Sequence, residues 1–247
     1  MVAITGASRG LGREFARACA REGATVALMA RDKAGVAEAA DDIQGETYPV
    51  ICDVTEPDSM TAAFDEIATA LGGVDAVVAN AGVTLDTSRA QNLSVETWQQ
   101  TLEVNLTGAF ITAQTAHRHL QNSNSGRMVL VSSVMARTPR RGVSAYAASK
   151  AGIEGLTRAL AVDWARDGIS VNAISPGFIA AGMGAVLGMS ELPPAIEKLR
   201  EALTSKVPLR RVGDAEEVAD LVAFLVGPRV GYLTGQVISI DGGYGLD

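Results

Sequence analysis

Tyr146 and Lys150 stand four residues apart in a stretch of helical patterning, so their side chains share one face. An ammonium beside a phenol favours the phenolate and pulls its pKa down from about 10, toward the range useful for moving protons at neutral pH. With four tyrosines and four lysines in 247 residues, chance supplies only about 0.06 pairs at this spacing.

A second constellation is Thr5-Gly6-Ala7-Ser8-Arg9-Gly10-Leu11-Gly12, entered from an apolar run and left through a helical pattern. Glycines let the backbone turn sharply and approach a ligand closely. The helix that follows offers unpaired N–H groups and the positive end of its dipole. Strand, glycine turn and helix together read as a cradle for a pyrophosphate.

Gly6, Gly10 and Gly12 make the G-x-x-x-G-x-G pattern of the short-chain dehydrogenase/reductase family, and the resemblance spans essentially the whole chain. It includes Asp53-Val54, Asn80-Ala81-Gly82, Asn105, Ser133, Tyr146, Lys150, Pro176-Gly177 and Asp241-Gly242-Gly243. The resemblance implies an NADPH-dependent oxidoreductase that interconverts a ketone and a secondary alcohol by hydride transfer. On this reading Tyr146 is the general acid in reduction and the general base in oxidation. Lys150 tunes it and holds the nicotinamide ribose. Ser133, thirteen residues before Tyr146, hydrogen-bonds the substrate oxygen, and Asn105 anchors a water that relays protons to the lysine. The implied cofactor contacts are Gly6, Ser8, Arg9, Gly10, Leu11 and Gly12 in the turn, and Asp53 and Val54 at the adenine. Asn80, Ala81 and Gly82 would flank the adenine ribose, with Pro176, Gly177 and Ile179 at the nicotinamide beside Tyr146 and Lys150. Many relatives carry a threonine shortly after the Pro-Gly; this chain has Ala180, Ala181 and Gly182.

The second strand distinguishes the two nicotinamide cofactors. An acid at its end binds ribose hydroxyls, whereas a basic group accepts a 2′-phosphate. That strand ends at Ala30, followed by Arg31, and Asp32 starts the next turn or caps a helix. Arg9 brings a second guanidinium, so the cofactor is expected to be NADP(H).

These residues must be held by a scaffold, and its pattern is legible. Short apolar runs alternate with helical stretches: strands at Val2–Ile4, Thr25–Ala30, Tyr48–Cys52, Ala76–Ala79, Met128–Val131, Ser170–Ile174 and Val237–Ile240. Helices are read over Leu11–Glu22, Gly35–Ile43, Pro57–Leu71, Val95–Asn105 and Gly108–Leu120, with a long one following Tyr146 and ending near Gly168. Such alternation gives right-handed βαβ units. The expected fold is α/β: a single Rossmann-type, doubly wound parallel sheet with helices on both faces, residues 1–247 forming one domain. The resemblance puts the sheet at about seven strands. Aromatics are 4% and glycines number 26, so the core relies on close approach of small residues. Gly177–Pro194 reads as a loop or mobile helical segment over the site.

Several classes are set aside. A net charge of −7 argues against nucleic acid or an anionic membrane as the main partner. No apolar run approaches the roughly 20 residues of a membrane span. The chain enters a strand at once, which leaves no room for a signal peptide. Cys19 and Cys52 form no CxxC motif, so a reduced, cytoplasmic protein is expected. His117 and His119 point to different sides of a helix, and no metal is expected.

The substrate is expected to be a small carbonyl or alcohol compound. Met135, Phe178, Leu187 and Met189 are candidates for an apolar pocket or for plain packing, and Arg137, Arg140 and Arg141 for an anion site or a solvated loop. Within the family the sequence is similar to 3-oxoacyl-acyl-carrier-protein reductases, including Pro208-Leu209 and Thr234-Gly235-Gln236. The places where carrier-protein users present basic residues hold Gln121–Ser125 and Asp167-Gly168 instead. A sugar or polyol dehydrogenase is an alternative, as is a nucleotide-binding sensor or structural subunit. Small residues along the long helix, Ala147, Ala148, Ala151, Gly152, Gly155 and Ala159, fit the homotetramer usual in the family.

Overall fold

The computed structural model describes residues 1–189 and 192–246. In chain order the elements are β1 (Val2–Thr5), α1 (Gly10–Arg21), β2 (Val26–Ala30), α2 (Lys33–Asp42), β3 (Thr47–Ile51), α3 (Pro57–Leu71) and β4 (Ala76–Ala79). Then come α4 (Val95–Leu102), α5 (Gly108–Gln121), β5 (Arg127–Val131), α6 (Ser144–Trp164), β6 (Ser170–Pro176), α7 (Pro194–Thr204), α8 (Ala215–Val226) and β7 (Val237–Ile240).

The strands make one parallel sheet in the order β3-β2-β1-β4-β5-β6-β7. This is the expected doubly wound arrangement. The chain builds outward from β1 in one direction, then starts again at β4 in the other. A crevice therefore opens beyond the carboxyl ends of β1 and β4.

Side chains alternate across the sheet, and both faces are apolar. Val2, Ile4, Val26, Leu28, Val78 and Val129 join one cluster with Phe15 and Cys19 of α1, Val36 of α2 and Val218 and Val222 of α8. Ala3, Ala27, Met29, Val77, Met128 and Leu130 join the other with Phe64 and Ile67 of α3, Ala113 and Ala116 of α5 and Ile153 of α6. Pro57 occupies the first turn of α3, where its missing N–H costs nothing, and Gly72 ends that helix with a left-handed φ of 80°.

The structure revises three expectations. Helices α7 and α8 were not read from the sequence, yet α8 packs along α1 and closes one face. Helix α4 stops at Leu102, and a π-helical turn over Glu103–Thr107 carries the chain into α5 without a break. Helix α6 begins at Ser144, ahead of Tyr146, and ends at Trp164 in a 3-10 turn before Gly168. The segment after β6 forms 3-10 turns over Gly182–Gly188; Ser190 and Glu191, in the same stretch, lie outside the described residues. The two histidines diverge as expected: His117 Nε2 meets Asp167 at 2.8 Å, and His119 stacks on Phe64. Among the described residues, no helix is long and apolar enough to cross a membrane.

Phe64 is fully buried between α3 and the sheet. Phe64→Ala is expected to cost about 3–5 kcal/mol, read as a lower urea midpoint with the slope of the transition unchanged.

Candidate active site

The site is assembled at the crevice by one side chain just beyond β4. Asn80 donates from Nδ2 to the carbonyls of Thr5 (2.9 Å) and Gly6 (3.2 Å), tying the end of β4 to the glycine turn. Thr5 reciprocates: its Oγ1 accepts from the amides of Asn80 and Ala81 at 3.0 and 3.2 Å. Gly12 and Gly6 exist to let this happen. A Cβ on Gly12 would stand 2.3 Å from the Gly6 carbonyl oxygen, and one on Gly6 would stand 3.0 Å from Ala81 Cα. The role of Asn80 in this structure is thus to hold the turn.

The turn fits a phosphate. Gly10 has φ +59° and no side chain, and Arg9, the N-cap of α1, makes no side-chain cap bond, so the first helical amides stay open. Leu11 is half-buried behind them. Ser8 lies against Gly35 at the start of α2, beside the end of β2. Asp32 is spent there: its carboxylate caps α2 by accepting from the Gly35 amide at 3.1 Å. Arg31 extends outward and meets Asp53 at 3.3 Å. Asp53 also accepts from the amide and hydroxyl of Thr55. Burial pushes the Asp53 carboxyl up, but Thr55 and Arg31 together outweigh it and hold it below the usual carboxylate range. Val54 packs against Gly108, where a Cβ would come within 2.8 Å of its side chain.

The proton-handling groups gather at the end of β5. Helix α6 is pinned there by two bonds. Ser132 donates to the Lys150 carbonyl at 3.0 Å, and the buried Lys150 Nζ donates to the Val131 carbonyl at 2.7 Å. Ser132 therefore faces the helix backbone and leaves Ser133 to face Tyr146. Ser133 accepts from the Met135 amide at 3.2 Å. Lys150 Nζ sits 5.7 Å from the centre of the Tyr146 ring.

Asn105 lies in the π turn, and its amide is fully engaged. Oδ1 accepts from the Val83 amide at 2.7 Å; Nδ2 donates to the Val83 carbonyl at 2.9 Å and to Ser149 Oγ at 3.1 Å. Ser149 in turn donates to the Tyr146 carbonyl at 2.7 Å. A Cβ on Gly82 would stand 3.3 Å from Asn105 Oδ1 and 3.4 Å from Lys150 Nζ, so glycine keeps the space between them open. The anchoring roles of Ser149, Ser132 and Thr5 were missed by sequence reasoning. Each is a hydroxyl within or beside a recognised motif, which was the available signal.

Beyond β6, Gly177 passes so close to Asp241 that a Cβ would fall 2.7 Å from its Cα. Pro176 closes the strand. Ile179 bridges Gly213, with bonding from Phe178 and Ala180 on either side. That pattern turns the amide of Ile179 away from the bridge. Gly182 then rests over the glycine turn, where a Cβ on Gly10 would be 2.9 Å from its Cα. Val134, Met135 and Val143 form an apolar wall with Tyr146, Phe178 and Tyr244, the last two in edge-to-face contact at 5.0 Å. Of the other pocket candidates, Leu187 is buried and Met189 exposed.

The chain as a whole has known counterparts. The family described as enoyl-(acyl carrier protein) reductase matches residues 6–245. A cis-4-hydroxycyclohexanecarboxylate dehydrogenase of Sinomonas cyclohexanicum is 36% identical over 98% of this chain and 94% of its own. A 3-oxoacyl-[acyl-carrier-protein] reductase of Vibrio cholerae is 35% identical over 97% and 95%. The crystal structure of a short-chain type dehydrogenase/reductase from Mycobacterium marinum superposes with TM-score 0.88 at 34% identity, covering 100% of this chain and 95% of that one. The chain belongs to the short-chain dehydrogenase/reductase family. As a member it is an oxidoreductase whose family chemistry uses a nicotinamide cofactor.

In this short-chain dehydrogenase/reductase, burial acts on both members of the Tyr–Lys pair. It raises the Tyr146 phenol, with the Ser133 hydroxyl opposing the rise. It lowers the Lys150 ammonium from its ordinary 10.5 to about 8. The lowering of the tyrosine expected from its lysine neighbour is thus not a property of the protein alone; desolvation dominates. The folded chain gives up the Lys150 proton near 8, while the unfolded chain keeps it to 10.5. The cost of burying the charge is therefore present below pH 8 and fades as pH rises toward 10.5. Relative to Lys150→Met, the wild type is expected to gain on the order of 2 kcal/mol of stability between about pH 7 and pH 10, measured by urea unfolding of both proteins at each pH.

Proposed function

We propose that the protein is an NADPH-dependent ketoreductase, interconverting a ketone and a secondary alcohol with Tyr146 as the proton-transfer group. The observation that carries this reading is the convergence of Ser133, Tyr146 and Lys150 at the end of β5, beside an open glycine turn. The cofactor, when bound, supplies or accepts the hydride. The chain's own residues handle the oxygen and its proton. Ser133 hydrogen-bonds the carbonyl oxygen and stabilises the charge that develops there. Tyr146 delivers the proton in reduction and removes it in oxidation. Lys150 supplies positive charge beneath the phenol and holds the nicotinamide ribose. Asn105 stiffens the site by fixing Val83 and, through Ser149, the start of α6; the water relay to Lys150 remains part of this proposal.

Specificity for NADP(H) rests on the corner made by Ser8, Arg9, Ala30 and Arg31. Asp32 is absent from the ribose side because it caps α2. Arg31 is held by Asp53, its side chain 66% exposed, so a 2′-phosphate reaches it by displacing one exposed ion pair worth little in water. Gly6, Gly10, Leu11 and Gly12 would take the pyrophosphate, Asp53 and Val54 the adenine, and Asn80, Ala81 and Gly82 its ribose. Pro176, Gly177 and Ile179 would border the nicotinamide.

The reading also includes a cytoplasmic homotetramer. Phe110 on α5, Trp98 on α4 and Val162 on α6 are exposed apolar side chains of the kind that subunit contacts cover.

Two measurements test the reading. Tyr146→Phe is expected to lower kcat by at least about a thousandfold, or 4 kcal/mol in the barrier, while NADPH still quenches protein fluorescence on binding. Near-normal turnover would overturn the assignment. Initial rates with both cofactors are expected to favour NADPH, and Arg31→Ala to remove that preference; a higher kcat/KM with NADH in the wild type would refute it.

A further inference from the structure

We infer that the protein takes a substrate bearing an oxyanion, a carboxylate or a phosphate, held in a hollow of arginines beside the catalytic tyrosine. This rests on the ketoreductase reading above and deepens it by naming the substrate class.

The hollow measures about 400 Å³, within the range of small-ligand sites. The loop after β4 gives it Arg89, and the loop before α6 gives it Arg140 and Arg141. The two loops are locked together at Gly142, whose φ is +83° and where a Cβ would fall 2.2 Å from the Thr87 carbonyl oxygen. The backbone that carries the three arginines is thus fixed by the docking of the two loops.

Three observations point to an anion. First, none of the three arginines has an ion-pair partner among the described residues, although the chain as a whole is acidic. Arg137, their sequence neighbour, is spent on Glu154 at 3.2 Å. Asp86, the nearest acid in the first loop, accepts from the Ser88 amide at 2.8 Å. Second, the hollow contains the N-terminus of α6, whose N-cap Val143 offers no side chain to the first helical amides. Third, the Ser144 hydroxyl at that terminus is shielded from solvent and has no hydrogen-bond partner. Planar guanidinium forks, open amides and an idle hydroxyl together match the acceptor-rich faces of a carboxylate or phosphate.

The hollow communicates with the chemistry. Val143 and Ala147 line it, and both also pack in the apolar cluster that contains Tyr146, Met135 and Phe178. A substrate whose carbonyl oxygen meets Tyr146 thus crosses a short apolar stretch before its charged end reaches the arginines.

The test uses two matched pairs on the full chain: 4-oxocyclohexanecarboxylate against its methyl ester, and acetoacetyl-phosphopantetheine against acetoacetyl-pantetheine. In at least one pair the anionic member is expected to have a kcat/KM at least about tenfold higher. Arg140→Ala/Arg141→Ala is expected to remove that advantage through KM, leaving the neutral member within about twofold. The pair that responds tells a free acid from a phosphorylated arm. Calorimetric binding of both pairs, with NADPH present, reads the hollow without turnover. Equal rates and equal affinities for charged and neutral members, unaffected by the substitutions, overturn the inference alone. Selective binding of the anion without turnover of any ketone supports the hollow and overturns the ketoreductase reading. An absence of both turnover and selective binding overturns the two together.

Discussion

An ammonium group taken out of water needs an acceptor, and for Lys150 that acceptor is the carbonyl of Val131. Much of the site follows from this bond. It requires β5 to end with a free carbonyl, which a parallel strand stopping at Val131 provides. It requires α6 to lie close enough for a lysine one turn beyond Tyr146 to reach that carbonyl, and Ser132 fixes this distance from the other side. Once Lys150 is placed, Tyr146 is placed too, because the helix holds them at one spacing. The charge is costly to bury, which is why its surroundings are built from short, well-determined contacts.

Small residues make those contacts possible. Gly82 leaves the gap between Asn105 and Lys150, Gly108 lets α5 start against Val54, and Gly152 meets Leu106 with no room for a methyl. The abundance of alanine and glycine in the composition is therefore divided among separate tasks. Some of it lets α1 and α8 approach across one face. Some of it keeps the crevice open toward a ligand. Against the scarcity of aromatics stands the wall of Phe178 and Tyr244 near Tyr146.

The strands and the doubly wound sheet were legible because buried parallel strands are short apolar runs bounded by turns, and each lies where its motif begins or ends. Ser133, Tyr146 and Lys150 were legible because their relation is local: two share a helix and the third ends a strand. What escaped was set by contacts distant in sequence. Nothing near Asn105 announces that its amide will be consumed by Val83 and Ser149, forty-four residues on in the second case. Helix α8 carries a clear apolar face, but the sequence reading assigned no element between Pro194 and the last strand, and its partner α1 lies about two hundred residues away. The fate of the loop arginines was also a tertiary matter. Only the fold separates Arg137, neutralised by Glu154, from Arg140 and Arg141, which face a common space with Arg89.

The π turn at Glu103–Thr107 has one more consequence. A π turn is an α-helix with a residue too many, so α5 is rotated by about 100° from the azimuth it would have as a plain continuation of α4. Elsewhere in a helix, losing one residue throws every later side chain onto the wrong face. Within these five residues the same loss would yield a straighter and better-bonded helix with α5 keeping its face to the sheet, and the damage would fall on the setting of Asn105 alone. The surplus residue is therefore a gauge: it trades helical regularity for the angular setting of one amide, and counts as part of the site though it touches no substrate.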